Sequence, residues 1–142
     1  MQRPPMRVSG PVLDAADPLG LAKFYETLLG WTITECEGPL PGNPPEDGWA
    51  RLRSPTGDLK IEIQWEKHYV PPVWPPVPGA QQMMIHLDII VEDLDAGVAW
   101  ALESGAAVAE HQPQQHGYHV IMLDPAGHPF CMCRGEVQTP AM

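Results

Sequence analysis

Apolar positions recur along this chain with two periods. Leu21, Phe24, Tyr25, Leu28 and Leu29 fall at helical spacing, whereas Ile61, Ile63 and Trp65 alternate with Glu62 and Gln64. The first pattern predicts a helix capped by Asp17, with Pro18 at its first position and Gly30 as its stop. The second predicts a strand over Leu59–Glu66 with two unlike faces, and similar runs predict strands over Arg7–Ala16, Trp31–Thr34 and Trp49–Arg53. Glu37–Gly48 is rich in proline and glycine and reads as a loop. A second series follows. Met84–Val91 reads as a strand, then Asp93 caps a helix carrying Leu94, Val98, Ala101 and Leu102, and Gly105 ends it. Short strands are predicted over Ala106–Ala109, Tyr118–Leu123 and Pro129–Arg134, with a loop from Gln112 to Gly117.

The second series repeats the first. Asp93 follows Asp17 at an offset of 76, Gly105 follows Gly30 at 75, and the turn glycine Gly127 follows Gly57 at 70. A long period present only twice indicates two fused copies of one supersecondary unit, each reading strand, helix, then three strands. Two copies can enclose a cleft. Between them Val70–Pro78 contains too many prolines for a central strand or a helix interior, and reads as a stiff extended connector.

Composition narrows the function classes. With 44% apolar residues in 142, the chain can bury a core without disulfides or a metal. No apolar run approaches the ~20 residues needed to span a bilayer, and Met1–Arg7 lacks the apolar stretch of a secretory signal. Three cysteines, two of them Cys131 and Cys133, make no disulfide framework, so a cytoplasmic location is expected. The net charge of −10 speaks against nucleic acid, which needs clustered Lys and Arg, and suits a cationic ligand. The same acidity also serves solubility.

Two βαβββ units, the run Phe24-Tyr25-Glu26-Thr27-Leu28-Leu29-Gly30-Trp31 and the closing Asp124-Pro125-Ala126-Gly127-His128-Pro129-Phe130 resemble the vicinal oxygen chelate superfamily. That superfamily includes glyoxalase I, bleomycin-resistance proteins, extradiol dioxygenases and fosfomycin-resistance enzymes. The Pro71–Pro76 stretch with Trp74, His86-Leu87-Asp88 and Pro129-Phe130-Cys131 resemble its glyoxalase-like branch more narrowly. The resemblance implies an α+β fold in which two modules, residues 7–67 and 83–135 joined by a connector at 68–82, curve their mixed sheets into a cup with helices outside. It also implies a homodimer and, in metal-using relatives, one divalent ion held by the first and last strands of both modules. The positions matching those ligands are Gly10, Glu62, His86 and Cys131. Gly10 has no side chain and Cys131 replaces a glutamate, which leaves Glu62 and His86 as the candidate metal ligands. The expected state is therefore a cup without a catalytic metal, a divalent ion being the alternative.

Candidate site residues follow from strand parity. His86 and Asp88 share a face and suit an orienting or acid–base pair, or a histidine bonded to backbone at a strand start. Asp14, Glu62 and Gln64 are polar positions for the cup wall or for a solvated rim. Trp49, Trp74 and Tyr118 offer flat rings for a planar or cationic ligand, while Trp65 reads as core filler. Cys131 and Cys133 read as buried packing, and His111 and His116 as loop polarity. The function expected is binding of a small organic molecule, planar or cationic as in bleomycin-type resistance proteins. The rival is an enzyme: a metal-dependent lyase or dioxygenase, or a metal-free isomerase using His86 with Glu62 or Asp88. A metabolite sensor without chemistry is a third class. No phosphate-cradling loop or nucleophile elbow is present.

Overall fold

A computed structural model describes residues 1–114 and 117–137; His116 lies outside the described residues. The chain divides into two compact units, Met1–Lys67 and His68–Met142. The first holds β1 (Val12–Ala15), α1 (Pro18–Leu29), β2 (Thr32–Glu37), β3 (Trp49–Arg53) and β4 (Lys60–Trp65). The second holds β5 (Asp88–Val91), α2 (Leu94–Ser104), β6 (Ala107–Val108), β7 (His119–Leu123) and β8 (Pro129–Arg134). Each unit carries one four-stranded mixed sheet, ordered β1-β4-β3-β2 and β5-β8-β7-β6. The first and last strands of each unit pair in parallel, and the remaining pairs are antiparallel. The fold is α+β, as the repeat predicts. No helix among the described residues is long and apolar enough to cross a membrane.

Both helices begin and end where the sequence signals place them. The Asp17 carboxylate accepts from Gly20 N at 3.1 Å, and Asp93 accepts from Ala96 N at 3.0 Å, each satisfying a backbone donor that lacks an intrahelical partner. In the first unit, Leu21, Phe24, Tyr25 and Leu28 of α1 are buried, as are Leu52, Ile61 and Ile63 of the sheet. Removing such side chains from water stabilises by roughly 1.5–3 kcal/mol each, which anchors the alternation read in β4. The second unit's core is built on Ala101, Met122, Phe130 and Met132. Trp65, expected in the core, is only half-buried.

Three strands differ from the sequence reading by three residues or more at one end, each for a local reason. β2 runs on to Glu37 through a bulge between Ile33 and Glu35, and Glu35 reaches Arg51 and Arg53 at 2.8 and 3.1 Å. β1 begins only at Val12, because Gly10 has φ of 139°. β5 begins only at Asp88. Cys131 N donates to Leu87 O at 2.9 Å, and the next bond back along this parallel ladder would need an N–H at residue 129, which is proline.

The proline-rich segment packs on the second unit. Tyr69 donates its hydroxyl to Ala126 O at 2.7 Å, Trp74 Nε1 donates to His111 O at 3.0 Å, and Val73 N donates to Gln81 O at 2.8 Å.

Candidate functional site

The register of the second sheet gathers one chemically distinct face. Asp88 on β5 stands opposite Cys131 on β8, which stands opposite Ile121 on β7; Cys133 pairs likewise with Ile90 and His119. Alternation then puts His86, Asp88, Cys131, Cys133, His119 and Ile121 on the face away from Met122 and Met132. These six residues line a cavity of about 300 Å³. Trp74, Met83, Pro129 and Phe130 supply apolar wall, and Gln114 adds an amide. That volume is at the small end of the range typical of ligand sites, and the mix of apolar wall and few polar groups is typical too.

Three of the polar groups stand together. His86 Nε2 lies 3.1 Å from Asp88 Oδ1, and ligand atoms of His86, Asp88 and Cys131 all lie within 4.8 Å of one another. Burial, then the negative charge of Asp88, pushes the Cys131 thiol up to about 11, and the same two causes raise Cys133. Neither sulfur is therefore a thiolate at neutral pH, which excludes a ready nucleophile. Iodoacetamide should modify Cys36, exposed on β2, well before Cys131 at pH 7. Cys131 labelling should rise only as pH approaches about 11, read peptide by peptide by mass spectrometry. Comparable rates for the two at pH 7 would contradict this environment.

The remaining predicted residues fall in other surroundings. Trp49, Glu62 and Gln64 line a separate cavity of about 340 Å³ in the first unit, together with Trp65. There Arg51 binds Glu62 through Nε and Nη2 at 2.8 and 2.6 Å, Lys60 stands 3.5 Å from the same carboxylate, and the guanidinium lies 5.3 Å from the Trp49 ring centre. Both the anion and the ring face are thus engaged by the chain's own cation. Asp14 accepts from Gln64 Nε2 at 2.8 Å, through the direct Asp14↔Gln64 pairing of β1 and β4. Tyr118 is exposed, outside the lining of either cavity, with Arg134 at 4.8 Å from its ring.

The family's metal positions are not filled by suitable groups. A Cβ on Gly10 would meet Lys60 O at 1.9 Å, so the backbone excludes any ligand there. Glu62 already has two cationic partners. The set Gly10, Glu62, His86, Cys131 does not fit a bound ion.

Sequence reasoning missed Met83, Phe130, His119 and Arg51. His119 and Ile121 share the parity of Cys131 and Cys133, but only the register shows that these two strands lie side by side.

Duplicated βαβββ units whose first and last strands pair in parallel are the architecture that the resemblance to the vicinal oxygen chelate superfamily implies. Residues 11–133 match the glyoxalase-like domain family, and the chain belongs to it. Among solved structures it is similar to a glyoxalase family protein from Enterococcus faecalis (19% identity, 90% of this chain and 97% of that one, TM-score 0.64). It is also similar to a fosfomycin resistance protein, FosX, from Listeria monocytogenes, solved as a variant with Mn(II) and dihydroxypropylphosphonic acid (13% identity, 92% and 94%, TM-score 0.67). A third is TnmS3, an antibiotic binding protein from a Streptomyces species (16% identity, 95% and 100%, TM-score 0.60). At these identities the likeness concerns the fold. A comparison with curated proteins finds no match.

Proposed function

We propose that this chain binds a small organic molecule with an apolar, planar body and a basic or hydrogen-bonding head, in the cavity of its second unit. The observation that carries the reading is the 3.1 Å pairing of His86 with Asp88 in a cavity walled by Trp74, Met83 and Phe130. The indole of Trp74 is fixed by its bond to His111 O, so a ring face is held ready at little entropic cost. Asp88 receives the head group, and His86, hydrogen-bonded to it, orients the carboxylate. The net charge of −10 favours approach of a cation. The antibiotic-binding and fosfomycin-resistance structures are consistent with small-molecule recognition on this fold. The ligand reading requires no ion at the family's metal positions.

The His86–Asp88 contact supports a second reading, proton transfer by His86 with Asp88 holding its tautomer. One set of variants separates the two. A panel of planar aromatic cations is screened by ligand-observed NMR, and hits are titrated against Asp88→Asn and His86→Ala. For a binder, Asp88→Asn weakens a cationic hit about tenfold, roughly 1.4 kcal/mol, while His86→Ala has a smaller effect. For a proton-transfer enzyme, His86→Ala removes turnover and leaves affinity. Hits that bind both variants as tightly as the parent would sink the site assignment.

A further inference from the structure

We propose that an exposed groove beside α2 receives residues 1–8 of a second copy of this chain, so that two copies exchange N-terminal segments. The groove shares no residue with the ligand cavity, and the inference does not rest on the function proposed above.

The repeat shows why the groove exists. At the offset of 76, Gly97 and Trp100 of α2 stand where Leu21 and Phe24 stand in α1. Leu21 and Phe24 are 2% and 4% exposed and belong to the core of the first unit. The second unit has no room for such a side chain. A Cβ at Gly97 would meet Val91 Cγ1 at 2.7 Å, so the helix backbone lies close against β5 there. Trp100, three residues on, is left 50% exposed. Together with Val91, Ala96 and Val137 it lines an open apolar groove, edged by Glu92 and Asp93. An exposed indole set in a groove, rather than alone on a surface, marks a place of contact.

Charge selects the occupant. Between Lys67 and Arg134 the chain has seven acidic residues and no lysine or arginine. Arg134 itself stacks on Tyr118, at 4.8 Å from the ring centre. The groove therefore suits a segment that is both basic and apolar. Residues 1–13 carry Arg3 and Arg7 and no acidic residue, whereas Arg51, Arg53 and Lys60 are already paired with Glu35 and Glu62. Residues 1–8 are exposed throughout, with Met6 at 72% and Val8 at 84%. Pro4 and Pro5 restrict the segment to extended backbone, so docking it costs less conformational entropy than ordering a flexible tail. Its arginines match the acidic edge, and its methionine and valine match the apolar floor. Two bodies of charge −10 otherwise repel, and the segment is the part of a second copy that complements this face. A two-fold pair makes the contact twice.

The test uses the untagged full chain, followed by sedimentation velocity and native mass spectrometry over a wide range of concentration. The expected result is a monomer–dimer equilibrium that weakens as salt is added. Removing residues 1–8 weakens the dimer about tenfold or more, as does Trp100→Ala, while the far-ultraviolet circular dichroism is unchanged. Glu92→Lys acts in the same direction. Mixing the truncated chain with the Trp100→Ala chain yields a heterodimer stronger than either homodimer, because that pair keeps one intact segment and one intact groove. A monomer at every concentration, as for a groove that receives a different protein, overturns the proposal. A dimer indifferent to the truncation and to Trp100 also overturns it, as does a mixture that forms no excess of heterodimer. Each of these outcomes leaves the organic-ligand titration intact.

Discussion

Asp124→Ala is expected to lower the unfolding free energy of the second unit by about 3–5 kcal/mol. Its side chain is fully buried and is a hub for the turn before β8. Oδ1 accepts from Ala126 N at 3.0 Å and His128 N at 2.9 Å, while His128 Nδ1 sits 2.8 Å from Oδ2. His128 Nε2 in turn stands 3.3 Å from the Tyr69 hydroxyl, which donates to Ala126 O. Alanine would leave two backbone N–H groups and an imidazole donor half-buried without the carboxylate, each costing roughly 1–3 kcal/mol when no partner replaces it. The turn also sets where Pro129, Phe130 and Cys131 enter the sheet, so the cavity depends on it. Urea unfolding followed by tryptophan fluorescence and circular dichroism measures the loss. Asp124→Asn, which keeps one acceptor oxygen, should lose about half as much, and a change below about 1 kcal/mol for alanine would contradict this role.

Gly10→Ala is expected to destabilise the first unit by about 3 kcal/mol or more. Gly10 has φ of 139°, and a Cβ there would stand 1.9 Å from Lys60 O, closer than any real contact. Relief requires moving the strand start away from β4, which breaks the bond from Lys60 N to Ser9 O at 2.8 Å and strains that from Glu62 N to Pro11 O at 3.1 Å. Gly10→His, the substitution that would restore the family's ligand, should fail for the same reason and bind no ion at this position. Urea unfolding of both variants, read beside Gly30→Ala, where a Cβ meets nothing within 4 Å, separates packing from backbone strain. Wild-type stability in Gly10→Ala would show that the contact is not rigid.

Much of the fold was legible because its signals are local. Asp17 and Asp93 announce helix starts through their own side-chain oxygens, and Ile61 and Ile63 announce a strand through alternation alone. The offsets between copies then supplied the topology. What stayed hidden depends on neighbours distant in sequence. β5 is shortened by Pro129, 41 residues beyond its first residue. The candidate site divides the same way. The pairing of His86 with Asp88 follows from spacing within one segment. Composition alone makes Cys131 a packing residue, and the register that sets it opposite Asp88 is visible only in the fold. Sequence leaves Glu62 and Trp49 open to a ligand, and only the fold shows that Arg51 engages both.

Ligand binding in the second unit's cavity is the central proposal. Backbone amide chemical-shift mapping with a planar cationic hit tests this most directly. Perturbations are expected to concentrate at residues 86–88, 119–121 and 129–133, and to be lost in Asp88→Asn. Perturbations centred instead on Trp49, Arg51 and Trp65 would contradict it and move the site to the first unit.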